Sequence, residues 1–221
     1  MHLKILPTLL LIVLLAFSCR AQQQHGFFLA PSAMVGYNHI SHIYHPVEFV
    51  APANKGFNVA FQYGAITGYK LKKLGIQLEF KISNFQQKFA QGELEGDFTV
   101  RYNTWGTLFL YQLGEINQSG YFHTVKLGAL FNSPQYGHYM VKNKITAEVY
   151  TNEDQLNLLQ NNAMICADYG ISKGYKLLWV DFSLRAAYNL NNIYKPLTGV
   201  NGKNFFLGFQ LAFGLFANTN K

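Results

Sequence analysis

The chain has 221 residues and a net charge of +7, but only 13% of its residues are charged while 16% are aromatic. An ordinary soluble domain is about 25% charged, so this composition leaves too few ions to coat a water-facing surface of that size. The length suits a single large β-domain.

Residues 1–21, MHLKILPTLLLIVLLAFSCRA, combine Lys4, an unbroken apolar run from Leu9 to Phe17, and Ala21 ahead of three glutamines. That is the pattern of a secretory signal peptide cleaved after Ala21, which leaves residues 22–221 as one barrel domain. The apolar run is too short for a membrane-spanning helix. A lipoprotein reading would acylate Cys19, but leucine stands four residues before it, where that signal wants three. Cleavage removes Lys4 and Arg20, lowers the net charge from +7 to +5, and leaves Cys166 as the one remaining cysteine. No internal disulfide then holds the fold. No later segment offers about 20 consecutive apolar residues, so the exported chain is either soluble outside the cytoplasm or a membrane barrel.

From there the period is two, the signature of strands. Phe27–Tyr37 is the weakest candidate, because Pro31 cannot donate to a ladder inside a closed sheet. Phe57–Tyr69 sets Phe57, Val59, Phe61 and Tyr63 against Asn58, Ala60, Gln62 and Gly64. Ile76–Ser83 sets Ile76, Leu78, Phe80 and Ile82 against Gln77, Glu79, Lys81 and Ser83. Phe98–Leu113 begins with Phe98, Val100 and Tyr102 opposite Thr99, Arg101 and Asn103. Its later half, with Trp105, Phe109 and Tyr111, breaks the rule, and a bulge near Gly106 would explain the break. Tyr121–Phe131, Ala163–Ser172, Leu178–Asn189 and Phe205–Phe216 complete a set of eight. The last is the clearest: Phe205, Leu207, Phe209, Leu211, Phe213 and Leu215 share one face.

The connections alternate in length. KLKK, GEINQSG and KGYK are short, whereas residues 38–56, 84–97, 132–162 and 190–204 are long. An eight-stranded antiparallel up-and-down transmembrane β-barrel has this asymmetry, with short periplasmic turns and longer external loops. A soluble lipocalin-like binding barrel is the rival, with an apolar interior and a charged exterior. Charge position separates them. Glu79, Lys81, Arg101, Lys126, Asp168, Asp181 and Arg185 all fall opposite the Phe/Leu stripe. At mid-depth in lipid each Lys or Arg would cost about 2–4 kcal/mol, enough together to erase a typical stability of about 5–15 kcal/mol. Enclosed, the seven form a luminal polar network in which Arg101 and Arg185 pair with Glu79, Asp168 or Asp181. An eight-stranded interior is just wide enough for side chains to fill, so the expected lumen is plugged. A narrow gated, porin-like channel is the alternative.

The signal peptide ending in AQ, the segment GYKLKKLGIQLEFKISNFQQKF and the Phe/Gly-rich closing strand resemble the PorT-like family of small outer-membrane β-barrels of the Bacteroidetes type. The resemblance implies a cell-envelope protein of the bacterial outer membrane with a structural, adhesion or secretion-accessory role. Its expected partners are outer-membrane lipid and other envelope or secretion proteins, not nucleic acid, and the expected state is a monomer without cofactors.

His39, His42 and His45 recur at three-residue intervals in the first external loop. In a helical turn, pairs of them could share a face and hold zinc or copper. Pro46 limits any helix, and the favoured reading is a solvated or headgroup-contacting loop. A lipid-modifying enzyme is a third reading, but the chain has no Asp-Ser pair, and YNLNN at Tyr188–Asn192 lacks the His and Ser a deacylase would need. No enzyme is expected. The basic turn residues Lys70, Lys72, Lys73, Lys173 and Lys176 are expected to be solvated. In residues 132–162, HYMVKNKITAEVY suggests an outward hairpin turning at Lys142–Lys144, and TNEDQLNLLQ a helical turn capped by Thr151 or Asn152.

Overall fold

A computed structural model of the protein describes residues 26–42, 58–114, 120–152, 156–175 and 177–218. The proposed signal peptide, Phe57, His45 and Lys176 lie outside the described residues. The strands are β1 (Gly26–Ile40), β2 (Val59–Leu71), β3 (Leu74–Gln91), β4 (Leu94–Leu113), β5 (Tyr121–Asn143), β6 (Val149–Asn152), β7 (Asn162–Tyr175), β8 (Leu178–Asn189) and β9 (Asn204–Asn218). All but β6 form an antiparallel ring in chain order, and β9 pairs back onto β1 from Gly26↔Asn218 to Ile40↔Asn204. The short β6 adds only to the outer end of β5. Closure removes the unpaired edges that a lipid-facing sheet could not satisfy.

Pro31 is tolerated because its missing donor falls on one side only. It pairs with Ala65 of β2, while the ladder to β9 omits Ala30 and Pro31 and resumes at Ser32↔Ala212 in the same register.

The outer wall is apolar. Phe209 is 53% and Leu211 40% exposed, as are comparable residues on every strand of the ring, among them Phe27, Phe61, Phe80, Phe109, Leu127, Ile165 and Phe182. Glu79, Lys81, Lys126, Asp168, Asp181 and Arg185 are buried within the ring. A closed antiparallel ring with an oily exterior and enclosed ions is an outer-membrane β-barrel. The soluble barrel would need the reverse.

Three expectations are corrected. Residues 84–97 are not a loop: β3 and β4 run on to a two-residue turn at Gly92 and Glu93, paired from Leu74↔Tyr111 to Gln91↔Leu94. β4 carries no bulge at Gly106, since its ladder to β3 is unbroken; the irregularity sits on β5, where Arg101 faces Tyr136 and Tyr102 faces Pro134, leaving Gln135 over. Arg101 is exposed on the outside, whereas Phe98, Val100 and Tyr102 are buried inside.

One cause explains all three. β3, β4 and β5 are 18, 20 and 23 residues long, whereas about 9–11 residues cross a bilayer. Their surplus projects into water, and there the two faces exchange chemistry. Asn84, Gln86 and Lys88 turn outward while Phe85 and Phe89 turn inward. The alternation continues with its sign reversed.

Residues 132–162 follow the expected outline in part. β5 and β6 form the expected outward hairpin, but Lys142 is still paired with Val149 and the chain turns after Asn143 rather than at Lys142–Lys144. A 3₁₀ turn occupies Leu156–Leu158. Thr151 and Asn152 belong to β6 rather than capping that turn.

Candidate functional site: the luminal side chains and the external rim

The interior is filled in three tiers. At the periplasmic end Phe28, Ala30, Ile66, Trp179, Ala212 and Phe216 form one apolar cluster, with the Phe28 and Trp179 rings 4.8 Å apart. Beside it, the Lys70 ammonium donates to Gln112 Oε1 at 2.5 Å and stands 3.7 Å from the Phe122 ring centre. Lys70 is therefore enclosed rather than solvated, and Lys173 is buried as well, 4.4 Å from the Tyr121 ring centre.

The middle tier is ionic. Arg185 from β8 donates to both oxygens of Glu79 and to both oxygens of Asp168, each at 2.7 Å. Lys81 closes on Glu79 Oε2 at 2.8 Å and donates to Gln210 Oε1 at 2.5 Å. Gln77 Nε2 donates to Glu79 Oε1 at 2.6 Å. A second unit pairs Lys126 with Asp181 Oδ2 at 2.6 Å, and Ser172 donates to Asp181 Oδ1 at 2.5 Å. Six of the seven residues expected in the lumen are here, and Arg101 is not. Without it the tier holds three cations and three anions, so its formal charge is zero. The serines and glutamines were not singled out from sequence, although each falls on the inward parity of its strand. Burying ions is costly unless partners satisfy them, and the bidentate forks of Arg185 are the strong geometry for doing so.

Above the ions, Phe85, Phe98, Val100, Tyr102, Tyr139 and Phe206 form a second apolar core. The β8–β9 loop folds down onto it. Tyr194 is fully buried, its ring 6.3 Å from Phe98, with Ile193 and Val200 buried beside it. Asn192 fixes this inward fold: its Oδ1 accepts the N–H groups of Tyr194 and Gly202 at 3.2 and 2.8 Å, and its Nδ2 donates to the Val200 carbonyl. Leu159 bridges Tyr194 from the other long loop. Where β2 has ended, Gln87 reaches across to both main-chain groups of Ile40.

Arg101 stands outside, its Nε donating to Asn84 Oδ1 at 2.8 Å. Beside it the Tyr136 and His138 rings stack at 6.2 Å.

His39 lies within extended β1, so no helical turn brings it to the face of His42. His42 Nδ1 lies 3.1 Å from the Asn201 carbonyl and 3.2 Å from Ser41 Oγ. Among the described residues no three His, Cys, Asp or Glu side chains cluster as metal ligands.

No family model and no curated protein matches the chain. Solved structures do. Neisserial surface protein A is similar over 85% of this chain and 96% of its own, at 13% identity and a TM-score of 0.41. OprG of Pseudomonas aeruginosa is similar over 88% of this chain and 96% of its own, at 13% identity and a TM-score of 0.47. Ail, the attachment invasion locus protein of Yersinia pestis, is similar over 86% and 97%, at 14% identity and a TM-score of 0.37. At these identities the likeness is one of architecture, and the fold itself rests on the strand order and the two faces described above.

Proposed function

We propose that this protein is a monomeric, non-conducting and non-catalytic outer-membrane barrel whose working surface is its external end. The observation that supports this reading is the filled lumen: two apolar clusters flank a charge-neutral ionic tier whose side chains occupy the interior. The strands that overrun the membrane carry β3–β4 and β5–β6 outward as hairpins, the first with a polar outer face and the second exposing Tyr136, Met140, Ile145 and Val149, a form suited to contact with a neighbouring surface or envelope protein. Adhesion, envelope integrity and a secretion-accessory role all fit that form. The resemblance to the PorT-like family is compatible with the last without singling it out.

Two measurements test the reading. Purified barrel inserted into a planar bilayer gives no stepwise current; reproducible ohmic steps would overturn the closed lumen. On intact cells a Glu93→Cys protein is labelled by a membrane-impermeant maleimide, because Glu93 lies at the exposed β3–β4 tip and Cys166 is buried. Labelling that requires permeabilised cells would overturn the outward direction of the hairpins.

A further inference from the structure

Two depressions lie one above the other on the outer wall formed by β5, β7 and β8. The lower, of about 450 Å³, sits in the lipid-facing band, with Leu127, Ile165 and Tyr188 around a floor of Ala167 and Ala186. The upper, also about 450 Å³, is flanked by the Trp105 and Phe131 rings and otherwise walled by Ser133, Asn161 and Asn191. Both volumes fall within the range of small-molecule sites.

The upper notch exists because the wall forks there. The β5–β7 ladder ends at Asn132↔Asn162; just beyond it β5 carries its bulge, keeps β4 on its other edge, and takes β6 on the vacated edge only from Tyr139↔Asn152 onward. Bulges recur where a strand must re-aim side chains at a site. The fork is braced: Asn191 Oδ1 accepts the Ala163 N–H at 2.7 Å, and its Nδ2 donates to the Asn161 carbonyl at 3.1 Å. Behind it, Thr104 donates to Asn132 Oδ1 at 2.8 Å, and Asn132 donates to Asn162 Oδ1 at 2.9 Å. The notch is thus pre-formed, which lowers the ordering cost of binding.

We propose that this paired groove is a binding site for a neutral glycolipid of the external leaflet, its sugar in the notch and an acyl chain in the slot below. Ring faces suit the C–H face of a pyranose, and amide and hydroxyl groups offer both donors and acceptors to sugar hydroxyls. Among the described residues lining the two depressions, none is charged, whereas a phosphate headgroup calls for Arg or Lys. The slot, in turn, selects a sugar that carries hydrocarbon over a free one. Six residues separate Ala167 from Asn161 along β7, about 20 Å of strand, so one molecule with joined head and tail spans both.

The inference rests on the external end assigned above. Its test reads lipid binding, whereas current and cell labelling read the closed, outward barrel, so either can fail alone. Trp105 and Trp179 are the two tryptophans, and Trp179 is enclosed at the opposite end. A Trp179→Phe protein in phosphatidylcholine nanodiscs shows a saturable Trp105 emission shift as monoglucosyl diacylglycerol is added. Free glucose, or more phosphatidylcholine, produces none. Asn161→Ala above and Ala186→Leu below each weaken the apparent affinity by about tenfold. In unmodified protein, the same glycolipid with brominated chains quenches Trp105 emission. A response equal to that with phosphatidylcholine, an equal response to free glucose, or indifference to both substitutions overturns the proposal.

Discussion

Arg185 and Glu79, 106 positions apart in the chain, face each other across the lumen through two parallel hydrogen bonds of 2.7 Å. The same guanidinium holds Asp168, so a single side chain from β8 ties β3 to β7 through the interior. Removing it takes from Asp168 the cation that holds it and leaves Glu79 to Lys81 alone, both in a dry environment. Losing one partner of a buried ion pair costs about 3–5 kcal/mol, and Arg185→Met is expected in that range by urea unfolding in phospholipid vesicles. The double substitution Arg185→Met with Asp168→Asn should cost less than the sum of the singles, because the second change removes a charge the first left unpaired. A loss below about 1 kcal/mol for Arg185→Met would mean that water reaches this tier.

Arg101→Ala supplies the contrast. This arginine is exposed and hydrogen-bonded to Asn84 on the outer face, so its removal should change stability by no more than about 0.5 kcal/mol. Equal penalties for Arg101→Ala and Arg185→Met in the same titration would return Arg101 to the lumen.

The different fates of these two arginines show what a sequence reading captures here. From Phe205 to Phe216 the alternation holds one sign throughout, so which side meets lipid is legible without coordinates. Across Ser83–Lys88 and Phe98–Tyr102 the period stays at two but the sign reverses, because these strands leave the membrane and bury their apolar face inward. A search for one continuous oily stripe ends β3 at Ser83 and puts Arg101 with the luminal ions. The reversal is itself in the sequence, as Phe85 and Phe89 alternating with Gln86 and Lys88. The inward fold of Ile193 and Tyr194 is not, since it depends on Asn192 bonds that close only once the β8–β9 loop has formed. Nor is the notch at Asn161 and Asn191, which exists only where β5 and β7 part.

The same reversal predicts a depth profile. Phe209 lies in the apolar band, and Phe209→Arg should cost about 2–4 kcal/mol, as cations do near the bilayer midplane. Gln86→Arg and Thr99→Arg also point outward but sit on the projecting hairpin, and each should stay within about 0.5 kcal/mol. Unfolding in vesicles reads all three. A penalty at Gln86 matching that at Phe209 would extend the membrane over the hairpin and reinstate residues 84–97 as a membrane-adjacent segment.

Two glycines separate close approach from backbone conformation. Gly64 on β2 faces Lys81, and a Cβ there would lie 2.0 Å from the Phe80 carbonyl oxygen and 2.7 Å from Lys81 Cα. Both are main-chain atoms of the neighbouring strand, so the wall itself must move to admit a methyl group. Gly64→Ala is expected to cost about 1–3 kcal/mol, as overpacking does. Because Lys81 holds Glu79 from the adjoining position, the displacement should also reach the ionic tier, and the loss should shrink when Lys81 is already methionine. Gly92 at the β3–β4 tip differs: nothing lies within 4 Å of its missing Cβ, but its φ is +55°. Gly92→Ala should cost about 1–2 kcal/mol through left-handed backbone strain alone, and Gly92→Asn less, since asparagine tolerates that region. Heat-modifiability gels and urea midpoints distinguish the two sites. Relief of the Gly64→Ala penalty by Lys81→Met, with no such relief for Gly92→Ala, is the outcome that ties the barrel wall to its charged interior.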